Sequence, residues 1–156
     1  MNNFLNSQRI HIELSKAVFD RETGISEVTI RTDYGEFTGT AKMHPDDTPY
    51  ASEFTGCGLA ERRAYKKYIK ARIRECNAQI KILKHLADTY KYMCNPDELD
   101  NKKLYWKPFD FIENLRQEIT VWKEEMQMVD RDIAESIKIR DKITKRLNAV
   151  STNGQN

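Results

Sequence analysis

The sequence predicts an α+β protein in which a small N-terminal antiparallel β-meander is followed by a long antiparallel two-helix hairpin. Three observations favour this fold. Alternating, β-branched segments separated by turn residues fill the first third of the 156-residue chain. A heptad pattern of apolar residues then runs through a long segment without proline. A second apolar pattern of helical spacing occupies most of the remaining chain.

The predicted β-sheet region covers residues 1–55. Its first strand begins with the alternating segment Ile10–Leu14 and continues to Phe19. The second strand is Val28–Thr32 and the third is Phe37–Ala41, with glycine-containing turns between the strands. A sheet of this size buries one face only if another element covers it, and the helices that follow are the candidates.

The predicted hairpin covers residues 56–150, and its first helix spans about 56–94. The helix is expected to stop before Pro96, because proline disfavours helical geometry in the residue that precedes it. Its apolar seam holds for about four heptads. The seam residues are Ile69, Ile73, Cys76, Ile80, Leu83, Ala87, Tyr90 and Cys94.

The second helix is predicted over about 110–148, after a polar loop from Asp97 to Pro108. Asp110 and Glu113 have the spacing of a capping box, which places the helix start there. The tail 151–156 is polar and is expected to fray. The seam residues are Ile112, Leu115, Ile119, Trp122, Met126, Val129, Ile133, Ile137, Ile143 and Leu147.

Self-association is expected from the length of these helices. Each would be roughly 50 Å long at about 1.5 Å per residue. A sheet region of about 45 residues cannot cover so long an apolar stripe, so the fold is predicted to be oligomeric.

Charge is unevenly distributed along the chain, although the net charge is only +2. Residues 1–55 hold five Lys and Arg against nine Asp and Glu, whereas residues 56–99 hold ten against five. The small net charge argues against long nucleic acid as a partner. The excess of basic residues in 56–99 is compatible with a small phosphate-bearing ligand.

The compartment is predicted from cysteine usage and hydropathy. The three cysteines are odd in number and about 18 residues apart, which fits neither a disulfide framework nor a zinc ribbon. No apolar run is long enough for a transmembrane helix, and no signal peptide is visible. We therefore expect a cytoplasmic protein, in the cytosol of a host cell, without a membrane partner.

A basic cluster opens the first helix and consists of Arg62, Arg63, Lys66, Lys67, Lys70, Arg72 and Arg74. Extending the heptad seam backwards from Ile69 places Arg62 and Lys66 on it. Unpaired buried charge is costly, so these side chains must face water, a carboxylate or a bound anion. Phosphate binding at the amino end of the helix is one interpretation. A solvated charged face, with the apolar seam beginning later, is the other.

Aromatic residues cluster before and within the start of the second helix. Aromatic rings stack on bases, and neighbouring cations hold phosphates. The alternative is a hydrophobic plug where the hairpin turns back onto the sheet. The candidate ligand-binding residues of this region are Tyr105, Trp106, Phe109, Asn114, Arg116 and Arg131.

Catalytic motifs are not found. The sequence has no phosphate-binding glycine loop, no nucleophile elbow and no supported cysteine–histidine pair. His44–Asp47 invites a metal or general-base interpretation, but a turn that caps the next helix explains it better. We therefore expect no enzymatic activity, no catalytic residues, no metal and no cofactor.

The architecture resembles that of the phage-encoded Thoeris anti-defence sponge proteins. The resemblance is carried by Thr38-Gly-Thr-Ala-Lys-Met-His-Pro-Asp-Asp, by Ser52-Glu53 and Gly56, and by Leu59-Ala-Glu-Arg-Arg-Ala. It implies a dimer or hexamer that sequesters cyclic nucleotide immune signals, such as cyclic ADP-ribose isomers or cyclic oligonucleotides, and so blocks antiphage defence. It also implies a pocket built from an aromatic residue, an asparagine and an arginine. In this chain these are best placed at Tyr105 or Phe109, at Asn114 and at Arg131.

Two alternatives remain open from the sequence. One is a nucleic-acid-binding coiled-coil module of a phage, whose basic helix start would follow a phosphate backbone. The other is a protein-binding adaptor that acts through the helical hairpin.

Overall fold

A computed structural model of the chain describes residues 11–43, 53–93 and 99–153, and within the last range the side chains of residues 107–150. In chain order the elements are β1 (Glu13–Asp20), β2 (Ile25–Thr32), β3 (Gly35–Lys42), α1 (Glu53–Met93) and α2 (Leu99–Asn153). The predicted α+β fold is confirmed, because a three-stranded antiparallel sheet is followed by two long helices. No helix in the described ranges is long and apolar enough to cross a membrane.

The chain divides into two compact units. The described residues up to Tyr68, together with the described residues from Met128 onward, form what we call the sheet unit. Ile69–Gln127 forms what we call the helical unit. Both long helices therefore contribute residues to each unit.

The sheet is a meander with β2 in the centre and the strand order β1-β2-β3. The register between β1 and β2 shifts at Ser15, where β1 has a bulge. In the turn that joins these strands, Asp20 accepts hydrogen bonds from the Thr23 hydroxyl at 2.6 Å and from the Glu22 amide at 2.9 Å. These hydrogen bonds lower the pKa of the Asp20 carboxyl, the Thr23 bond having the larger effect.

Helix α1 lies very close to the sheet at Gly39 on β3. A Cβ atom at Gly39 would collide with the backbone of α1 at Ala60 and Ala64, so only glycine permits this approach. One turn further along α1, Tyr68 is fully buried and packs edge-on against Phe37, with ring centroids 5.5 Å apart. The small residues Gly39, Ala60 and Ala64 thus allow the close approach, and Tyr68 adds an aromatic contact between the helix and the sheet.

The helical unit is held together by the predicted apolar seams. Cys76 and Ile80 of α1 form one buried cluster with Ile112 and Ile119 of α2. Across their described residues in this unit, both seams are buried or half-buried, as predicted. The helices run antiparallel here, because Arg72 contacts Glu118 whereas residues later in α1 lie beside residues earlier in α2.

Arg72 is a buried charge inside this apolar unit. Its side chain is only 8% exposed, and its guanidinium contacts the carboxylates of Glu75 at 2.6 Å and Glu118 at 2.7 Å. The guanidinium also lies 5.9 Å from the ring centroid of Trp122, whose indole N–H donates to Glu118 at 3.1 Å. This network joins α1 to α2 by an ion pair and a hydrogen bond. Such contacts depend on direction, whereas contacts between apolar side chains do not.

The predicted start of the second helix is wrong. Helix α2 begins at Leu99, so most of the expected loop from Asp97 to Pro108 is helical and Asp110 cannot act as its cap. Pro108 lies inside the helix although it removes a hydrogen bond, at a cost of about 3 kcal/mol. Its ring is buried, and burial of apolar surface opposes this cost.

The predicted end of the second helix is also wrong. Helix α2 continues to Asn153 rather than stopping near residue 148, so the first three residues of the expected frayed tail are helical. Ile143 and Leu147 are 51% and 37% exposed, although both were assigned to the buried seam. Cys94 and the His44–Asp47 turn lie outside the described residues.

Replacing Gly39 with alanine should destabilise the protein. The added methyl group would push α1 off the sheet, and overpacking of this kind costs about 1–3 kcal/mol. Urea unfolding followed by circular dichroism measures the change. Gly58→Ala is the matched control, since a Cβ there meets only the flexible end of Arg62 and alanine favours helix. An unfolding midpoint for Gly39→Ala equal to that of the wild type would contradict this account.

Replacing Glu118 with alanine should weaken the helical unit more than a comparable surface change. The buried Arg72 guanidinium would lose a carboxylate, and Trp122 would lose its acceptor, for a loss of about 2 kcal/mol. The control is Glu113→Ala, which removes an exposed contact with Arg116 and should cost less than about 0.5 kcal/mol. Equal losses in urea unfolding would show that the buried network adds nothing.

Candidate functional site

A cavity of about 880 Å³ lies within the sheet unit. One wall is the inner face of the sheet, a second is the first three turns of α1, and a third is the segment 136–144 of α2. Cavities of roughly 300–1,000 Å³ are typical of small-molecule sites. The size and lining of this cavity make it the candidate functional site.

The cavity exists because α1 covers only part of the sheet. The close contact at Gly39 and a second one, where a Cβ at Gly56 would meet the Ser26 side chain, hold α1 over β2 and β3. Strand β1 is left uncovered, so Leu14 on the cavity wall is 56% exposed. Ile139 and Ile143 of α2 line the opposite side and are themselves about half exposed.

Most of the cavity wall is apolar, and its aromatic side chains come from β1 and α1. Phe19 of β1 and Tyr65 of α1 are half-buried, whereas Phe54 in the first turn of α1 is 90% exposed. Such rings offer flat surfaces on which a heteroaromatic base can stack. The wall therefore suits a ligand with a planar apolar part.

Two guanidinium groups add positive charge to the apolar wall. Arg62 donates from Nη1 to the carbonyl of Gly58 at 3.1 Å. Arg140 is held by Asp141, with its Nη2 2.7 Å and its Nε 3.1 Å from the carboxylate. A guanidinium carries five N–H donors in a plane, so the contact of Arg62 with one carbonyl leaves donors for an anion.

The basic cluster at the start of α1 is engaged within the sheet unit. Lys66 forms an ion pair with Asp130 of α2, so this seam position faces a carboxylate. Arg63 and Lys67 donate to the backbone carbonyls of Thr40 at 2.7 Å and Thr38 at 2.6 Å. These carbonyls belong to the outer edge of β3, so the two cations cover a sheet edge that would otherwise be open to pairing.

The other candidates suggested by the sequence belong partly to the helical unit and partly to the sheet unit. Phe109, Asn114 and Arg116 belong to the helical unit and are exposed, and Arg116 lies 3.6 Å from Glu113. Arg131 is exposed in the sheet unit. Arg62 lines the cavity, whereas Tyr105 and Trp106 lie outside the side chains that the structure describes.

Sequence reasoning missed Phe19, Tyr65 and Arg140 as cavity residues. The sequence predicts Phe19 at the end of the first strand but does not indicate on which face of the sheet it lies. The bulge at Ser15 interrupts the alternation of apolar and polar residues that would indicate the face. Arg140 lies four residues after Ser136, so both side chains are on the same side of α2. This spacing indicates a cavity residue only when that side of the helix is already known to line the cavity. The described residues include no group of three or more His, Cys, Asp and Glu side chains placed to hold a metal ion.

No protein-family model, curated protein or solved structure matches the chain.

The two described cysteines should differ sharply in reactivity. Burial and the Glu118 carboxylate raise the pKa of the Cys76 thiol to about 11. Near pH 8 only about one Cys76 thiol in a thousand is then a thiolate, the form that reacts. Cys57 is half-buried on the cavity wall. Iodoacetamide labelling read by peptide mass spectrometry should modify Cys57 in the native protein and Cys76 only after urea is added. Native labelling of Cys76 at the rate of Cys57 would contradict this.

Proposed function

We propose that this protein binds and sequesters a small cyclic nucleotide without converting it, and that the cavity of the sheet unit holds the ligand. The observation that carries the proposal is an apolar cavity of about 880 Å³ with aromatic rings and two guanidinium groups in its wall. A nucleotide combines a flat heteroaromatic base with charged phosphates. The rings suit the base, and Arg62 suits a phosphate.

The resemblance to Thoeris anti-defence sponge proteins supports the choice of ligand. It points to cyclic ADP-ribose isomers, and a protein that captures such a signal would protect a phage from host defence. A sponge needs affinity rather than turnover. Glu61 is the one carboxylate in the wall among the described residues, and a lone carboxylate is not an acid–base pair.

The engagement of the basic cluster argues against the alternative of a nucleic-acid-binding module. A protein that follows a phosphate backbone needs several accessible cations along one surface. In this chain Lys66 is paired with Asp130, and Arg63 and Lys67 hold the edge of β3. The cavity does not support the adaptor alternative, because a concave site of this size suits a small molecule rather than a protein surface.

The test uses cyclic ADP-ribose as the probe and titration calorimetry as the measurement. Wild-type protein should bind the probe. After the complex is washed and heat-denatured, mass spectrometry should recover the probe intact. Recovery of a hydrolysed product would indicate an enzyme, and no binding of this probe, of its isomers or of cyclic dinucleotides would overturn the proposal.

Arg62→Ala locates the ligand. Loss of a guanidinium–phosphate contact should weaken binding by roughly tenfold or more, with circular dichroism unchanged. Arg131→Ala is the matched control, because the resemblance places the pocket arginine at Arg131 whereas the cavity does not include it. If Arg131→Ala abolishes binding and Arg62→Ala does not, the ligand lies at the site that the resemblance implies. Protection of Cys57 from iodoacetamide by the probe is a second readout for the cavity.

A further inference from the structure

We propose that two copies of this chain associate through one face of α2 in the sheet unit, with the two helices antiparallel. The residues of this association face follow one another at steps of four and three, so they lie on one side of the helix. They are Met128, Asp132, Glu135, Ile139, Lys142, Arg146 and Val150. At about 1.5 Å per residue the face is roughly 33 Å long.

All seven side chains of the association face are exposed. The apolar members are markedly so, with Met128 at 48%, Ile139 at 52% and Val150 at 72%. Within the described part of the chain, none of the four charged members forms an ion pair with another side chain. A helix face that exposes regularly spaced apolar residues and unpaired charges is typical of an interaction surface.

The charges on this face are self-complementary about Ile139. The acidic residue Asp132 and the basic residue Arg146 each lie seven residues from Ile139, on opposite sides of it. Met128 and Val150 each lie eleven residues away. A two-fold axis at Ile139 therefore places Asp132 opposite Arg146 of the other copy twice, and Met128 opposite Val150 twice. This is the isologous pairing that a symmetric dimer requires.

The same charges select the orientation of the two helices. A parallel pair would place Asp132 against Asp132 and Arg146 against Arg146, and both contacts are repulsive. An antiparallel pair converts them into attractive contacts, and Glu135 then comes near Lys142 as well. Repulsion in the wrong arrangement together with attraction in the right one specifies a single geometry.

Charge balance also argues for a second copy rather than an anionic surface. The face carries two acidic and two basic residues, so it has no net charge to attract a phosphate backbone or an anionic lipid surface. Its acidic half would be repelled by either. Ile139 also lines the cavity of the sheet unit, so the helix of the partner would lie beside that cavity.

Reversing the charges one at a time tests the proposal. Wild-type protein should sediment as a dimer or as a multiple of a dimer. Asp132→Arg and Arg146→Asp should each weaken association by about tenfold or more, because each creates two like-charge contacts. Mixing the two variants in equal amounts should restore association, because one chain is then basic at both positions and the other is acidic at both. The double variant should also associate like the wild type.

Controls separate this face from a general charge effect. Lys138→Glu changes the net charge as much as Arg146→Asp but lies off the association face, so it should leave sedimentation unchanged. For orientation, Met128→Cys and Val150→Cys chains should form a mixed disulfide with each other faster than either does with itself. Circular dichroism checks that each exposed change leaves the fold intact.

A monomeric wild-type protein would overturn the proposal. So would association that survives Asp132→Arg and Arg146→Asp, because it would show that the copies meet through another face. Faster self-linking of Met128→Cys than mixed linking would overturn the antiparallel arrangement. None of these outcomes depends on the ligand of the cavity, so the two proposals fail separately.

Discussion

The close contact between Gly39 and the backbone of α1 at Ala60 and Ala64 determines where the helix lies on the sheet. Because no side chain separates the two backbones there, the next turns of α1 have little freedom. Tyr68 is therefore buried against Phe37 of the sheet. Arg63 and Lys67, which precede it on α1, lie at the edge of β3. The cavity follows from the same constraint, since a helix held over β2 and β3 cannot also cover β1.

The position of α1 also changes the meaning of its positive charge. In the sequence the basic cluster looks like a binding surface for phosphate. In the fold, Lys66 neutralises Asp130, and Arg63 and Lys67 hold carbonyls that an edge strand would otherwise present to another chain. At the cavity wall, Arg62 contacts one backbone carbonyl and keeps donors for an anion, whereas Arg140 is in an ion pair with Asp141. A small anionic ligand is therefore a better match than a long polyanion.

Periodic features could be predicted from the sequence, and features that depend on tertiary packing could not. The heptad seam from Ile69 onward follows from the geometry of a helix, so it was recognisable. The helical stretch through Pro108 was not, because the local preference against proline in a helix predicts a loop there, and burial of the ring is a feature of the tertiary structure. Arg72 belongs to the basic cluster of the sequence, and nothing in the cluster marks it as buried; Glu118 and Trp122 make its burial tolerable. The cavity residues could not be predicted, because the amino-acid sequence indicates neither the bulge in β1 nor the lack of a helix over that strand.

The cavity and the association face have a common origin in the width of the sheet. Three strands provide too little apolar surface for the end of α2, so Ile139 and Ile143 find no tight partner within the described sheet unit. A seam with only apolar residues there would associate without fixed register or partner. Asp132 and Arg146 lie on either side of Ile139 and fix both the register and the partner. Only one antiparallel alignment places each of these charges opposite one of the other sign. The exposed end of α2 is thus better explained as an interface than as an imperfect core.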